Sequence, residues 1–274
     1  MSNYIEEEPI NDKKVLVVNG FREAAGLNHQ ISNLKVLIKF ARKLGAKLLV
    51  PQFLLWGFHD CRRDTRATQF QECLDFDKMG VIDELFFSAK DIPPGHVMLF
   101  LNCVRRPPDG LFRKIPEVAA AINNGVPPHP EDVKIVWNIK FHNIASTITD
   151  TGFDCIVHVR RTDKITTDLW DECTSPDHIH TVVKNVLPQG GGVYIMSDEK
   201  WEFFEPLKNE DPDNYKYKTY HDFPDLIKIK DVDNYTLFIV EQCMQLQIKT
   251  RISTENMLFD NFYQDYLVHK KPTV

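Results

Sequence analysis

The chain has 274 residues, of which 43% are hydrophobic, which is enough for one large core or two moderate ones and too many for a disordered protein. Its 33 basic and 39 acidic residues give a net charge of −6, which argues against a nucleic-acid-binding protein. The sequence has neither a signal peptide nor a stretch long enough to span a membrane. We therefore expect a cytoplasmic protein, or a domain taken from a longer protein of the ER or Golgi lumen.

The first part of the chain alternates strand and helix patterns. Residues 14–18 and 47–51 are β-rich runs. Between them, apolar residues recur at steps of three and four, which predicts an amphipathic helix closed by Gly45. These apolar residues are Leu27, Ile31, Leu34, Ile38 and Ala41. A strand, a helix and a second strand in this order are typical of a parallel sheet covered by helices.

The middle of the chain is less regular. We predict strands at 96–101 and 133–139, separated by a proline-rich segment of loops and short helices. A domain boundary is expected after them, which gives an N-terminal domain of residues 1–148 and a C-terminal domain of residues 149–274.

The C-terminal part repeats the alternation. The predicted strands are 153–159, 193–196 and 251–254, and the predicted helices are 178–186, 235–246 and 256–267. Both halves look Rossmann-like. The sequence therefore predicts an α/β fold with two Rossmann-like domains that face each other across a cleft.

Polar residues follow several predicted strands, and ligands of such sheets bind at the carboxyl ends of the strands. The residues in these positions are His158, Arg160, Arg161, Ser197, Asp198, Ser253 and Thr254. The apolar run 155–157 leads directly into the charged run 158–164, an arrangement that is costly unless something binds there. Two adjacent guanidinium groups suit a diphosphate, so we expect an enzyme that handles a nucleoside diphosphate.

The sequence gives little support for a metal site. None of the six cysteines forms a C-x-x-C pair; Cys61 and Cys73 could form a disulfide in an oxidising compartment or remain thiols. Three D-x-D motifs, at 75–77, 211–213 and 231–233, carry little weight in such an acidic chain, and the last two lie in turn-like contexts. We predict no metal ligand and no metal requirement.

Four segments resemble motifs of one enzyme group. Residues 158–168, HVRRTDKITTD, resemble the nucleotide-binding motif of the α1,6-fucosyltransferases, a family grouped with the protein O-fucosyltransferases. Residues 25–30, 193–199 and 241–256 are similar to three further motifs of that group, in the same order. The resemblance implies a GT-B-like arrangement, a GDP-fucose donor bound by the C-terminal domain, a glycan acceptor on the N-terminal domain, and inversion at the anomeric carbon.

The resemblance also implies roles for the charged run. Arg160 matches the family's donor-phosphate arginine and Arg161 lies beside it; a bidentate arginine can neutralise the leaving diphosphate without a metal. The resemblance also places His158 and Asp163 in the donor site, and Lys164 beside phosphate or acceptor. An ordinary loop ion pair between Asp163 and Lys164 explains those two residues equally well.

The catalytic base is expected to be Asp168. The resembling enzymes carry a glutamate four residues after their lysine, and Asp168 stands at that spacing from Lys164, one methylene shorter. Asp168 could instead cap a helix or turn near Trp170. Glu23, close to the glycine–asparagine motif, is the competing base.

The remaining donor-site residues implied by the resemblance are Gly26, Asn28, Asp198, Glu199, Glu241, Ser253 and Thr254. Each has a structural alternative. Asn28 could be a solvated helix residue, Asp198 and Glu199 a helix N-cap, and Glu241 a helix-surface charge. The sequence leaves two other functions open, namely transfer to Ser or Thr of a protein, and a catalytically inactive module that binds a GDP-sugar.

Overall fold

The computed structural model describes residues 13–19, 27–55, 66–102, 133–161, 168–210, 214–232 and 234–253. The chain divides into two compact units, Met1–Asn138 and Ile139–Val274. Each unit contains its own sheet of parallel strands, with helices between the strands in sequence. The predicted α/β class with two parallel sheets is therefore confirmed. The cleft between the domains stays a prediction.

The first unit is built around a parallel sheet with strand order β5-β2-β1-β6. Its elements are β1 at Lys14–Asn19, α1 at Leu27–Lys43, β2 at Lys47–Leu49, β3 at Phe53–Leu55, β4 at Arg66–Thr68, β5 at Leu85–Phe86 and β6 at Val97–Asn102. Strands β3 and β4 form a separate antiparallel pair. The parallel arrangement predicted from the strand–helix–strand pattern is present.

Helix α1 matches its predicted apolar face. The five residues that set its period are all buried, namely Leu27, Ile31, Leu34, Ile38 and Ala41. The helix ends as expected, because Gly45 adopts a φ of +58° and its N–H donates to the Arg42 carbonyl at 2.9 Å. Amphipathic periodicity and one glycine therefore account for this helix and its end.

The predicted strand at 133–139 is wrong. Val133 and Trp137 are buried, but Trp137 forms an isolated antiparallel bridge with Leu74, and the next helix begins at Ile139. The Asn138 N–H donates to the Cys73 carbonyl at 2.9 Å. The apolar residues that suggested a strand anchor a connecting segment.

The second unit contains a parallel sheet with strand order β10-β7-β8-β9. Its elements are α2 at Ile139–Thr149, β7 at Cys155–Val159, α3 at Asp168–Cys173, α4 at Pro176–Val186, β8 at Gly191–Ser197, α5 at Glu205–Glu210, β9 at Tyr215–Lys218, α6 at Pro224–Val232, α7 at Asn234–Gln247 and β10 at Thr250–Ser253.

Helix α2 packs on α7, since the Thr149 hydroxyl donates to Gln247 Oε1 at 2.8 Å and the Gln247 amide donates to the His142 carbonyl at 3.3 Å. This contact places α2 in the second unit, whereas the expected boundary at 148/149 left it in the first.

The two faces of the second sheet are covered by different helices. Residues Cys155, Val157 and Val159 of β7 lie in one core cluster with Ile179 and Val183 of α4. Val193 and Ile195 of β8 belong to the same cluster, whereas the alternating residues Tyr194 and Met196 contact α7.

On that second face, the Tyr194 hydroxyl donates to Glu241 at 2.8 Å, and Gln245 donates to the sulfur of Met196 at 3.2 Å. Ile156 and His158 of β7 are paired with Tyr194 and Met196, so they belong to the α7 face of the sheet, opposite the cluster residues between them.

Two smaller expectations concern membrane spans and thiols. Within the described ranges, no helix has the length and apolarity needed to cross a bilayer.

Cys155 and Cys243 are buried as predicted, and burial raises the pKa of each thiol to about 12. Cys61 lies outside the described residues, so its pairing with Cys73 stays a prediction.

Candidate active site at the carboxyl edge of the second sheet

The carboxyl ends of β10, β7 and β8 lie side by side. Ser253 is paired with His158, and Val159 is paired with Ser197. Since all three strands run in the same direction, Arg160 and Asp198 emerge from the sheet at the same edge. The predicted convergence of polar groups at strand ends is present for these residues.

The Ser197 hydroxyl shapes the turn that leaves β8. It donates to the Val159 carbonyl at 2.7 Å and accepts the Glu199 N–H at 3.0 Å. The first bond ties the end of β8 to the end of β7, and the second fixes the direction of the chain beyond it. Ser197 therefore positions the acidic pair Asp198 and Glu199.

Arg161 joins the ends of β7 and β8. The residue is only 4% exposed. Its backbone N–H donates to Asp198 Oδ1 at 2.8 Å, and its Nε donates to Glu199 Oε2 at 3.4 Å. Both predicted base-reading carboxylates are therefore held by one residue of the neighbouring strand.

The rest of the Arg161 guanidinium is bound by the segment after β7. Its Nη1 donates to Thr174 Oγ1 at 2.6 Å and to the Asp171 carbonyl at 3.3 Å, and its Nη2 pairs with the Asp171 carboxylate. Its carbon Cζ lies 4.0 Å from the centroid of the Phe203 ring. Arg161 is thus engaged on every side by its own chain.

The two adjacent arginines have different environments. The alternation of β7 continues past its end, so Val159 is buried, Arg160 is exposed and Arg161 is buried. Successive residues of an extended chain point in opposite directions, which separates the two side chains. The two arginines therefore differ in exposure and partners, and Arg160 is the one that solvent reaches; their joint contact with a diphosphate stays a prediction.

Asp198 and Glu199 do not act as the helix cap that was their structural alternative. In the described segment after β8, the short 3-10 turn Trp201–Phe204 has Lys200 at its N-cap and no side-chain cap. Glu199 Oε1 accepts the Lys200 N–H at 2.9 Å, and Asp198 is exposed beside it. Their predicted contacts with guanine and ribose stay predictions.

Glu241 is not the helix-surface charge that was its alternative. It is 4% exposed, and its Oε1 accepts the hydroxyl of the fully buried Tyr194 at 2.8 Å. Burial raises the pKa of Glu241 from 4.5 to about 8. The carboxyl group therefore sits in the interior on the α7 face of the sheet, and its predicted donor contact is untested.

Several predicted site residues cannot be placed. Glu23, Gly26, Asp163, Lys164 and Thr254 lie outside the described residues. Asn28 lies in the first turn of α1 and Asp168 is the first residue of α3, and only their backbones are described. Their roles remain predictions.

Metal ligation was tested over the described part of the chain. There, no group of three or more His, Cys, Asp or Glu residues is arranged to hold a metal ion. In the D-x-D motif at 75–77, Asp75 accepts the Lys78 N–H at 3.1 Å, and this bond lowers the pKa of Asp75. That motif shapes a turn.

Sequence reasoning missed the partners of Arg161. Asp171 and Thr174 lie about ten residues after Arg161. No sequence pattern identifies residues at that distance as partners of an arginine at a strand end. The Ser197 turn had a local signal, because a serine followed by acidic residues after a strand favours side-chain-to-backbone bonds.

We expect Arg161→Met to lower the free energy of unfolding by about 2 kcal/mol, because it removes the bonds to Thr174, Asp171 and Glu199. The matched control, Arg160→Met, changes an exposed side chain and should alter stability by less than about 0.5 kcal/mol. Urea unfolding of both variants measures the difference. Equal urea midpoints for the two variants would contradict the stabilising role assigned to the buried Arg161 side chain.

Glu241→Gln should change how stability depends on pH. The folded-state pKa of Glu241 is raised to about 8, so the folded protein holds a proton that the unfolded chain has released above 4.5. The stabilisation that Glu241 gains by holding this proton is complete below the unfolded-state pKa of 4.5. It is lost as the pH rises through the folded-state pKa of about 8. The unfolding free energy of the native protein, relative to Glu241→Gln, should fall between about pH 5 and 8. If the unfolding free energy of the native protein, relative to Glu241→Gln, rises over this pH range, the raised pKa assigned to Glu241 is wrong.

Comparison with known proteins gives a result at the level of structure. No protein-family model matches the chain, and no curated protein matches it. The structure of POFUT1 in complex with GDP matches with a TM-score of 0.50 and 9% identity, over 90% of this chain and 94% of that chain. Two crystal forms of POFUT1 with GDP-fucose match with TM-scores of 0.50 and 0.52 and identities of 8% and 9%, over 90% of this chain and 93% of each. The chain therefore has a fold like that of POFUT1.

Proposed function

We propose that this chain is an inverting glycosyltransferase that transfers fucose from GDP-fucose to a glycan acceptor without a divalent metal. The observation that carries the proposal is the carboxyl edge of the second sheet, where Arg160, Asp198 and Ser253 emerge side by side. The likeness to POFUT1 bound to GDP and to GDP-fucose supports the donor, and the resemblance of residues 158–168 to the α1,6-fucosyltransferase motif supports the α1,6-like subtype.

The reaction explains why an exposed arginine is needed at this edge. As the bond between the anomeric carbon and the β-phosphate oxygen breaks, negative charge grows on the departing GDP. The Arg160 guanidinium is exposed at the strand end and can donate two parallel hydrogen bonds to that phosphate. The sugar becomes oxocarbenium-like in the transition state, as in other glycosyl chemistry.

The acceptor hydroxyl attacks the opposite face of the sugar and loses its proton to a base, for which Asp168 is our candidate. Its position at the start of α3 follows the charged run directly. Lys164 is proposed to contact phosphate or the acceptor. Glu23 remains the competing base.

The other donor contacts follow from the same edge. Asp198 and Glu199 are held by Arg161 and the Ser197 turn, so their carboxylates are pre-positioned to accept guanine or ribose donors. His158 and Ser253 are paired on adjacent strands, two residues before Arg160 in the strand direction, and are proposed to line the phosphate site. Gly26, Asn28, Asp163, Glu241 and Thr254 keep the donor-site roles that the family resemblance implies.

A second candidate acceptor is a Ser or Thr hydroxyl of a protein, which the likeness to POFUT1 favours. Radiolabelled GDP-fucose offered to a panel of glycans and folded proteins separates the two. A catalytically inactive GDP-sugar-binding module would bind the donor and label no acceptor.

Donor binding is tested by titration calorimetry with GDP, GDP-fucose and UDP in the presence of a chelator. We expect both guanosine nucleotides to bind, UDP to bind at least about tenfold more weakly, and Arg160→Ala to weaken GDP roughly 10- to 100-fold. The control is Lys216→Gln, an exposed residue of the edge strand β9. Undiminished GDP binding by Arg160→Ala, or binding that requires added magnesium or manganese, would count against the proposal.

The base is tested by comparing Asp168→Asn with Glu23→Gln. We expect Asp168→Asn to lower kcat about 100-fold or more while GDP affinity stays within about twofold, and Glu23→Gln to change kcat by only a few-fold. The reverse pattern would assign the base to Glu23. If neither variant changes turnover, the base assignment fails.

A further inference from the structure

Arg251 has a polar atom that lacks the partner expected of a buried group. It lies on the edge strand β10 and is half-buried. Its Nε is fully buried and has no hydrogen-bond partner within the described structure. A buried donor without a partner costs about 1–3 kcal/mol, so such atoms usually mark a missing ligand or water.

The strand register places Arg251 on the same face as the phosphate-site residues. Arg251 is paired with Ile156, and Ser253 is paired with His158. Between them, Ile252 lies in the core cluster that contacts α4, so its two neighbours belong to the opposite face. Arg251, Ser253 and His158 therefore share one face of adjacent strands.

The same alternation assigns Arg160 to that face. His158 and Arg160 are two residues apart, with the buried Val159 between them facing the α4 cluster. Arg251 lies two residues before Ser253, which is about 7 Å along the strand. Arg251 is level with Ile156, which is four residues, or about 13 Å, before Arg160 along the strand direction. The two arginines therefore share one face of adjacent strands, and their long side chains with a diphosphate between them would have to span that distance.

Charge strengthens the case. None of the salt bridges found among the described residues includes Arg251. A partly buried cation is normally paired with an anion, and the two described carboxylates that follow β8, Asp198 and Glu199, are bound by Arg161. Among the described residues, the buried Nε of Arg251 therefore lacks the partner that a partly buried cation normally has.

We propose that Arg251 supplies the second guanidinium for the donor's diphosphate, alongside Arg160. The sequence had assigned that role to Arg161, whose guanidinium is bound by Asp171, Thr174 and Glu199. The identity of the ligand as GDP-fucose rests on the proposed function, whereas the anion site itself does not. Arg251 binds and neutralises phosphate and takes no part in proton transfer.

The test is calorimetric titration of the whole chain with GDP, guanosine and inorganic pyrophosphate in the presence of a chelator. The proteins compared are the native chain, Arg251→Gln, Arg251→Lys and the control Lys216→Gln. We expect Arg251→Gln to weaken GDP and pyrophosphate about tenfold or more, to leave guanosine unchanged, and to leave the melting temperature unchanged or raised. Arg251→Lys keeps the charge without the planar fork and should fall in between.

The outcomes separate this inference from the proposed function. Native-like GDP and pyrophosphate binding by Arg251→Gln overturns the inference and leaves the donor assignment standing. Arg251-dependent binding of pyrophosphate without binding of GDP upholds the anion site and overturns the donor. A large fall in melting temperature for both Arg251 variants, with ligand affinity unchanged, would make Arg251 a structural residue and overturn the inference.

Discussion

The candidate site depends on the buried guanidinium of Arg161. Arg161 connects the end of β7 to the acidic turn after β8, through its backbone N–H to Asp198 and its guanidinium to Glu199, and the guanidinium also binds Asp171 and Thr174 at the end of α3. A buried charge of this kind is stable only when its donors are satisfied, so its bonds hold the ends of β7, β8 and α3 together. The exposed Arg160 beside it is therefore presented from a fixed strand end, as stabilisation of a developing charge requires.

Local patterns predicted most of the fold. The period of α1, its glycine end and the parallel strands follow from residues close together in the sequence. The strand predicted at 133–139 is wrong because its apolar residues are buried with only one isolated bridge to another segment. Periodicity cannot distinguish a buried strand from a buried connecting segment.

The candidate site was harder to predict, because its contacts are set across strands. Arg160 and Arg161 are adjacent in the sequence but differ in exposure, while Arg251 is about ninety residues away and lies on the neighbouring strand. Only the register of β10 against β7 brings it to the site. The burial of Glu241 was not predicted for a similar reason, since its partner Tyr194 comes from another element.

The central claim is that arginines at the carboxyl edge of the second sheet bind a diphosphate in place of a cation. The most direct measurement is a crystal structure with GDP grown in the presence of a chelator. The account predicts both phosphates within hydrogen-bond distance of Arg160 and Arg251, with no metal between them. A nucleotide bound elsewhere, or one held through magnesium or manganese, would contradict it.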